Sequence, residues 1–164
     1  MLNDDPVVIV GAARTPIGSF QGVFSNLKGP DLGSLAIKAA VDRAKVNPQE
    51  IEEVIMGCVL SAGIGQSPAR QAAIKAGLSK HVHCTTINKI CGSGMKTVML
   101  AVDSLLSGSS NIIVAGGLES MTNAPYILDT ARVGYRIGHQ QVKDHIFVDG
   151  LEDAYSGKMM GFFE

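Results

Sequence analysis

The stretch Asn88-Lys89-Ile90-Cys91-Gly92-Ser93-Gly94-Met95-Lys96-Thr97 places a cysteine between an apolar run and a segment of helical periodicity. The residues before Cys91 predict a strand, and those after it predict a helix. A thiol at a helix start meets backbone N–H groups without an intrahelical acceptor, and it meets the positive end of the helix dipole. Both favour the thiolate over the thiol, so Cys91 is a candidate nucleophile.

Short apolar runs alternate with amphipathic segments on both sides of Cys91. The runs predict buried strands at 7–10, 54–60, 84–88 and 111–115. The amphipathic segments predict a helix capped by Asp31 and ending near Lys45, a short helix after Asn47, a helix from Ser67-Pro68 to Gly77, and a long one ending near Gly108. This alternation predicts an α/β fold, with a mostly parallel sheet flanked by helices.

The long helix after Cys91 is predicted to be amphipathic, with Lys96 on its solvent face. Its apolar residues recur at intervals of three and four: Met95, Val98, Met99, Val102, Leu105 and Leu106.

The character of the chain changes near Ser120. Residues 122–148 have no sustained period and predict an excursion or lid, followed by a short helix at 149–158. We therefore expect an α/β domain at 1–121 that carries the nucleophile, and the beginning of a loop or lid domain at 122–164. A four-stranded parallel sheet would leave an edge uncovered, so we expect a fragment of a longer protein.

Composition and charge exclude several classes of protein. The chain is 46% apolar and 18% charged, which is typical of a globular protein, and its net charge of −1 comes without a basic block that could bind nucleic acid. No apolar run approaches the roughly 20 residues that span a bilayer. Three cysteines without paired spacing and an N-terminus unlike a signal peptide indicate a reducing, cytoplasmic setting. Cys58 and Cys84 fall on predicted strands and are expected to be structural.

Four stretches in this order resemble the N-terminal part of the thiolase family: Ala13–Gly18, Gly63–Ala73, Asn88–Gly94 and Gly116–Met121. The resemblance runs nearly end to end. It implies the thiolase layered fold and a homodimer or homotetramer, with no metal and no cofactor, because coenzyme A thioesters are the substrates.

The resemblance also implies the chemistry. Cys91 matches the residue that takes an acyl group from acyl-CoA and passes it on, so that two acetyl-CoA give acetoacetyl-CoA and CoA, or a 3-oxoacyl-CoA is cleaved by CoA. A thiolate attacks a thioester readily and expels a thiolate of similar basicity. From spacing alone, the N–H groups of Gly92-Ser93-Gly94 are candidates to polarise the thioester oxygen.

Substrate contacts follow from the same resemblance. Leu151 would touch CoA and Met160 would line the acyl site. Many short-chain thiolases have His where this chain has Met159, which leaves the chain-length preference open. Both methionines are equally compatible with ordinary core packing.

Two groups of the family's catalytic set are missing from this sequence. A thiolase uses a histidine from a Gly-His-Pro motif as base and a second cysteine from a Cys-x-Gly motif as acid and base. The four histidines, His81, His83, His139 and His145, occur in no such motif. His81 and His83 are expected in a surface loop, and the chain alone is expected to be weak or inactive.

The sequence bears on three other functions. A phosphate-binding loop is excluded, because Met95 and Lys89 stand where the Walker motif needs glycine. A synthase-type condensing enzyme shares a cysteine at a helix start, although the Gly65–Ala73 stretch favours thiolase. A non-catalytic assembly module remains the alternative from a different class.

Overall fold

The computed structural model describes residues 6–163, and it has the α/β architecture that the alternating pattern predicts. Its helices are α1 (Gly29–Ala44), α2 (Pro68–Lys75) and α3 (Ser93–Leu106). Strands β1 (Glu53–Gly57), β2 (His83–Ile87) and β3 (Ile113–Gly117) form a parallel sheet in the order β2-β1-β3. A separate antiparallel pair joins β4 (Tyr126–Ile127) to β5 (Lys143–Asp144). The predictions about the two chain ends concern residues 1–5 and Glu164. These residues lie outside the described range.

Helices cover both faces of the central strand. Val54 and Met56 of β1 are buried in one core with Ile37 of α1 and Ala72 of α2. Alternate residues of a strand point to opposite faces, and Gly57 accordingly meets α3 on the other side of the sheet. The carboxyl ends of β1 and β3 thereby meet the first turn of α3.

Helix α3 approaches the sheet through small residues. A Cβ atom at Gly57 would lie 2.6 Å from the Cβ of Ser93 and 2.9 Å from the backbone nitrogen of Gly94. Thr97 is fully buried, and its hydroxyl lies 2.7 Å from the Gly94 carbonyl and 3.0 Å from the Gly116 carbonyl. The glycine on β1 therefore sets how closely the helix start can approach the sheet.

The face of α3 that packs against the sheet is not the predicted apolar stripe. That stripe consists of Met95, Val98, Met99, Val102, Leu105 and Leu106. Ser93, Thr97 and Ala101 are the buried residues of α3, whereas much of the stripe is exposed: Met95, Val98, Met99 and Leu106. Lys96, expected on the solvent face, is only partly exposed. Periodicity finds the helix correctly, but close packing against glycines selects small side chains rather than large ones.

The predicted strand at 7–10 is wrong. This segment is irregular, and Ile9 is 82% exposed. A strand needs a neighbour for its backbone N–H and C=O groups, and none of the strands in residues 6–163 lies beside it. The segment continues past α1 instead, where a Cβ at Gly11 would come within 2.5 Å of the Ala40 carbonyl oxygen.

Other boundaries shift by a few residues. Asp31 does not cap α1, which begins two residues earlier. It lies in the first turn, where its carboxylate accepts the Lys28 N–H at 3.0 Å. Its ion pair with Lys75 of α2 lowers the pKa of the Asp31 carboxyl. The strands predicted at 54–60 and 111–115 are β1 and β3, with β1 ending earlier and β3 starting later than expected.

The tail is less regular than predicted. A single wide turn, Phe147–Leu151, replaces the helix expected at 149–158. The chain then reverses where the Asp153 carboxylate accepts the Ser156 N–H at 2.8 Å and where Gly157 has φ +66°. A carboxylate that binds nearby backbone competes with helix formation, which explains the difference.

Candidate functional site

Cys91 lies in a tight turn between β2 and α3. The preceding residue, Ile90, has φ +49°, a left-handed conformation that is costly for a β-branched side chain. Local bonds hold it: the Ile90 N–H donates to Asn88 Oδ1 at 2.8 Å, and Ser93 Oγ donates to the Ile90 carbonyl at 2.6 Å. The Lys89 N–H donates to Ser93 Oγ at 2.8 Å. The turn presents the Cys91 thiol to solvent.

The N–H groups proposed to polarise a thioester oxygen are largely engaged. The Gly92 N–H donates to the Lys89 carbonyl at 3.1 Å, and the Ser93 N–H donates to the Ile90 carbonyl at 3.0 Å. For the Gly94 N–H, no acceptor is found among residues 6–163. Of the three groups, Gly94 is therefore the one whose N–H has no acceptor in the described part of the chain.

A cavity of about 660 Å³ opens beside Cys91. Its walls come from six places along the chain: 14–24, Leu32 of α1, the end of β1 and the loop after it at 57–60, the Cys91 turn with Gly94, 117–122, and 146–151. The structure thus brings Cys91 and Leu151, predicted as nucleophile and CoA contact, to one cavity.

Met159 and Met160 are not among the residues that line this cavity. Met159 is 42% exposed and pairs through its backbone with Glu152. Met160 is 55% exposed and begins the short turn Met160–Phe163.

Sequence reasoning assigned no role to Val59, Leu60 and Glu119, which also line the cavity. Glu119 lies two residues after β3, and its carboxylate accepts the Val59 N–H at 2.8 Å and the Leu60 N–H at 3.0 Å. The available signals were its place in the Gly116–Met121 stretch and its acidic side chain just after a parallel strand. Its partners lie about 60 positions earlier, and no local pattern reveals such a pairing.

The other two cysteines lie in different environments from Cys91. Cys58 is 3% exposed, and burial together with the nearby Glu119 carboxylate raises the pKa of its thiol to about 12. Burial also raises the pKa of the Cys84 thiol. At neutral pH both therefore remain thiols.

None of the four histidines lines the cavity. His81 lies in the loop before β2, as expected, whereas His83 is the first residue of that strand. His139 is exposed. His145 is 4% exposed, with its Nδ1 2.6 Å from Asp149 Oδ2 and its Nε2 accepting the Ala62 N–H at 3.4 Å. No sequence pattern around His145 predicts its burial.

Within residues 6–163, no group of three or more His, Cys, Asp or Glu side chains is arranged to hold a metal ion. Among the described helices, none is both long and apolar enough to cross a membrane.

Comparison with known proteins identifies the family. The sequence model described as "Thiolase, N-terminal domain" matches residues 7–164. The chain is 53% identical over 94% of its length to an acetyl-CoA acetyltransferase of Cupriavidus necator, of which it covers 39%. It is 54% identical over 94% of its length to the acetyl-CoA acetyltransferase of Escherichia coli, and 52% identical over 98% to acetyl-CoA acetyltransferase 2 of Arabidopsis thaliana. The chain spans about two fifths of the length of these relatives. With Cys91 at the start of α3 beside a cavity, and with a family match over nearly its whole length, this chain belongs to the thiolase family.

Proposed function

We propose that this chain carries the nucleophile of acyl transfer between coenzyme A thioesters. The observation that supports the proposal best is the exposed Cys91 thiol at the start of α3, on the wall of a 660 Å³ cavity, in a chain whose relatives are acetyl-CoA acetyltransferases. Apolar walls with a few polar groups are typical of a small-molecule site.

In the first step, the Cys91 thiolate attacks the carbonyl carbon of acetyl-CoA. A new carbon–sulfur bond forms, the bond to the CoA sulfur breaks, and CoA leaves as the thiolate. In the second step, the acetyl group passes to the α-carbon of a second acetyl-CoA, which has lost a proton, and Cys91 is released. The same two steps in reverse order cleave a 3-oxoacyl-CoA with CoA.

The Gly94 N–H has no acceptor among residues 6–163, which supports a role for this group in the first step. Negative charge develops on the carbonyl oxygen as sulfur attacks, and a backbone donor at a helix start stabilises such charge. Leu151 would contact CoA, which its place on the cavity wall supports. Met160 and Met159 would contact the acyl group only if their segment moved toward the cavity.

The base and the second cysteine of the thiolase reaction have no counterpart among these 164 residues. The sequence contains neither Gly-His-Pro nor Cys-x-Gly. We propose that the 164-residue chain alone forms the acyl-enzyme slowly and does not complete turnover.

We also propose that the protein works as a homodimer or homotetramer in the cytoplasm, with 1–121 and 122–164 as separate domains. Sedimentation equilibrium tests the assembly.

Mass spectrometry after incubation with acetyl-CoA tests the proposed function. We expect a mass increase of one acetyl group on Cys91, and none on Cys58 or Cys84. The variant Cys91→Ser should fold and carry no acetyl group, because serine is a far weaker nucleophile at neutral pH. An acetyl group only on Cys58 or Cys84 would contradict the proposal. Acetylation with release of a condensation product other than acetoacetyl-CoA would favour the synthase-type alternative, and no acetylation would favour an assembly module.

A further inference from the structure

The loop that follows β1, residues 58–62, forms one wall of the Cys91 cavity. Val59 and Leu60 line the cavity. Leu60 is 5% exposed, and its Cδ2 atom lies 3.4 Å from the Cβ position of Gly150, in the turn that carries Leu151. The loop therefore forms the part of the cavity wall that packs against the turn Phe147–Leu151.

Glu119 holds the first half of the loop from the side of β3. Its Oε2 accepts the Val59 N–H at 2.8 Å, and its Oε1 accepts the Leu60 N–H at 3.0 Å. Oε1 also lies 3.5 Å from the Cys58 sulfur. Hydrogen bonds to an ionised carboxylate are stronger than neutral ones. Both oxygens face the loop, so the Glu119 carboxylate is engaged in binding it.

His145 holds the second half from the opposite side. Its Nε2 accepts the Ala62 N–H at 3.4 Å, so the ring proton lies on Nδ1, which donates to Asp149 Oδ2 at 2.6 Å. The backbone N–H of His145 donates to the Pro125 carbonyl at 3.2 Å. Because Asp149 lies in the Phe147–Leu151 turn, this one imidazole joins the loop to the opposite cavity wall.

We propose that Glu119 and His145 are positioning residues, which hold loop 58–62 at the distance from Cys91 that acyl-CoA binding requires. This inference rests on the proposed function. The two side chains act through the loop and touch no reacting atom. Removing either one releases one end of the loop, so acyl-CoA binds less well. The Cys91 thiol itself stays reactive toward a small reagent.

The test uses the longest natural polypeptide that contains this sequence. The variants are Glu119→Gln, Glu119→Asp, His145→Ala and His145→Gln, with Glu50→Gln and His139→Ala as matched controls at exposed positions. The rate of Cys91 acetylation is measured by quenched mass spectrometry across acetyl-CoA concentrations, which separates the half-saturating concentration from the maximal rate. The rate of alkylation by iodoacetamide at Cys91 is measured alongside.

We expect Glu119→Gln and His145→Ala to raise the half-saturating concentration about tenfold, as the loss of one charge-assisted or buried hydrogen bond implies. Glu119→Asp should fall between wild type and Glu119→Gln, because its shorter carboxylate reaches only one N–H. His145→Gln should recover most of the affinity, because its amide oxygen can accept the Ala62 N–H. The alkylation rate of Cys91 should match wild type in every variant. Both control variants should also keep the half-saturating concentration of wild type.

Three results would overturn the inference while leaving the proposed function intact. The first is that Glu119→Gln and His145→Ala both keep the half-saturating concentration of wild type. The second is a lower maximal rate in Glu119→Gln with the loss of one limb of the pH profile, which would make Glu119 an acid or base. The third is a rate decrease that only follows the fraction of folded protein, which would make the role structural. If wild-type Cys91 is never acetylated, the proposed function itself fails.

Discussion

The three cysteine residues lie in different environments. Cys91 is exposed at the cavity, whereas Cys58 and Cys84 lie in or beside the core. The strand-to-helix turn that carries Cys91 is readable from local periodicity, and the structure places this turn on the cavity wall. The pairing of Glu119 with the loop after β1 was not readable, because it depends on two strands becoming neighbours.

The first prediction concerns alkylation of the native protein. Iodoacetamide at neutral pH should modify Cys91 much faster than Cys58 or Cys84. Cys91 is accessible, while burial raises the thiol pKa at the other two positions and so removes the reactive thiolate. Peptide mapping after brief exposure gives the three rates. Equal rates in the folded protein would contradict the environments described for these cysteines.

The second prediction concerns alkaline pH and Cys58. Its folded pKa of about 12 lies above the ordinary value of 9.0. Between these values the folded state keeps a proton that the unfolded state loses, so the contribution of Cys58 to stability is complete below pH 9 and declines as pH rises toward 12. Urea midpoints should therefore fall more steeply from pH 8 to pH 10 in wild type than in Cys58→Ala. Parallel curves would show that Cys58 titrates normally.

At the scale of elements, the sequence predicted the helices and the parallel strands well, because each has its own apolar period. The strand predicted at 7–10 is wrong, because an apolar run indicates burial only where the strand also has a partner. The sequence also missed which face of α3 packs. That choice depends on Gly57 of the neighbouring strand, and no period within the helix contains this information.

The third prediction follows from the close approach of α3 to β1. Gly57→Ala should displace the first turn of α3, since the new Cβ would lie within 2.9 Å of Ser93 and of the Gly94 backbone. We expect a loss of roughly 1–3 kcal/mol in the free energy of unfolding, as for an overpacked core, and a large decrease in Cys91 acetylation. Urea denaturation and mass spectrometry measure the two effects.

Gly116→Ala is the matched control. It adds the same methyl group on the adjacent strand, where the nearest atom is the Met56 sulfur at 3.5 Å, an ordinary contact. Its stability and its acetylation should stay close to wild type. If both variants behave alike, the close approach at Gly57 is not what positions the helix.

At the scale of the whole molecule, the chain exposes more surface than its mass requires. Its accessible area is 11133 Å², about 1.4 times the roughly 7,800 Å² expected for a compact monomer of its mass. The apolar stripe of α3 is part of this surface. Contiguous exposed apolar surface marks contact sites in soluble proteins, which agrees with the assembly proposed above.

The fourth prediction concerns this surface in the 164-residue chain. The dye ANS, whose fluorescence rises on apolar surface, should bind the folded chain. Met99→Lys combined with Leu106→Lys should lower that fluorescence with little change in stability, because both side chains are exposed and lysine favours helix. ANS titration and urea midpoints provide the measurement. Unchanged fluorescence with a lower midpoint would mean that the stripe packs inside the molecule.

The close contact at Gly57 also limits how this protein could be engineered to accept longer acyl chains. Part of the cavity wall rests on Gly57, where a larger residue would displace the start of α3 beside Cys91. Other parts of the wall are ordinary side chains, such as Leu60 and Leu151. A mutagenesis library for new substrates should therefore vary the loop and turn and leave the sheet unchanged.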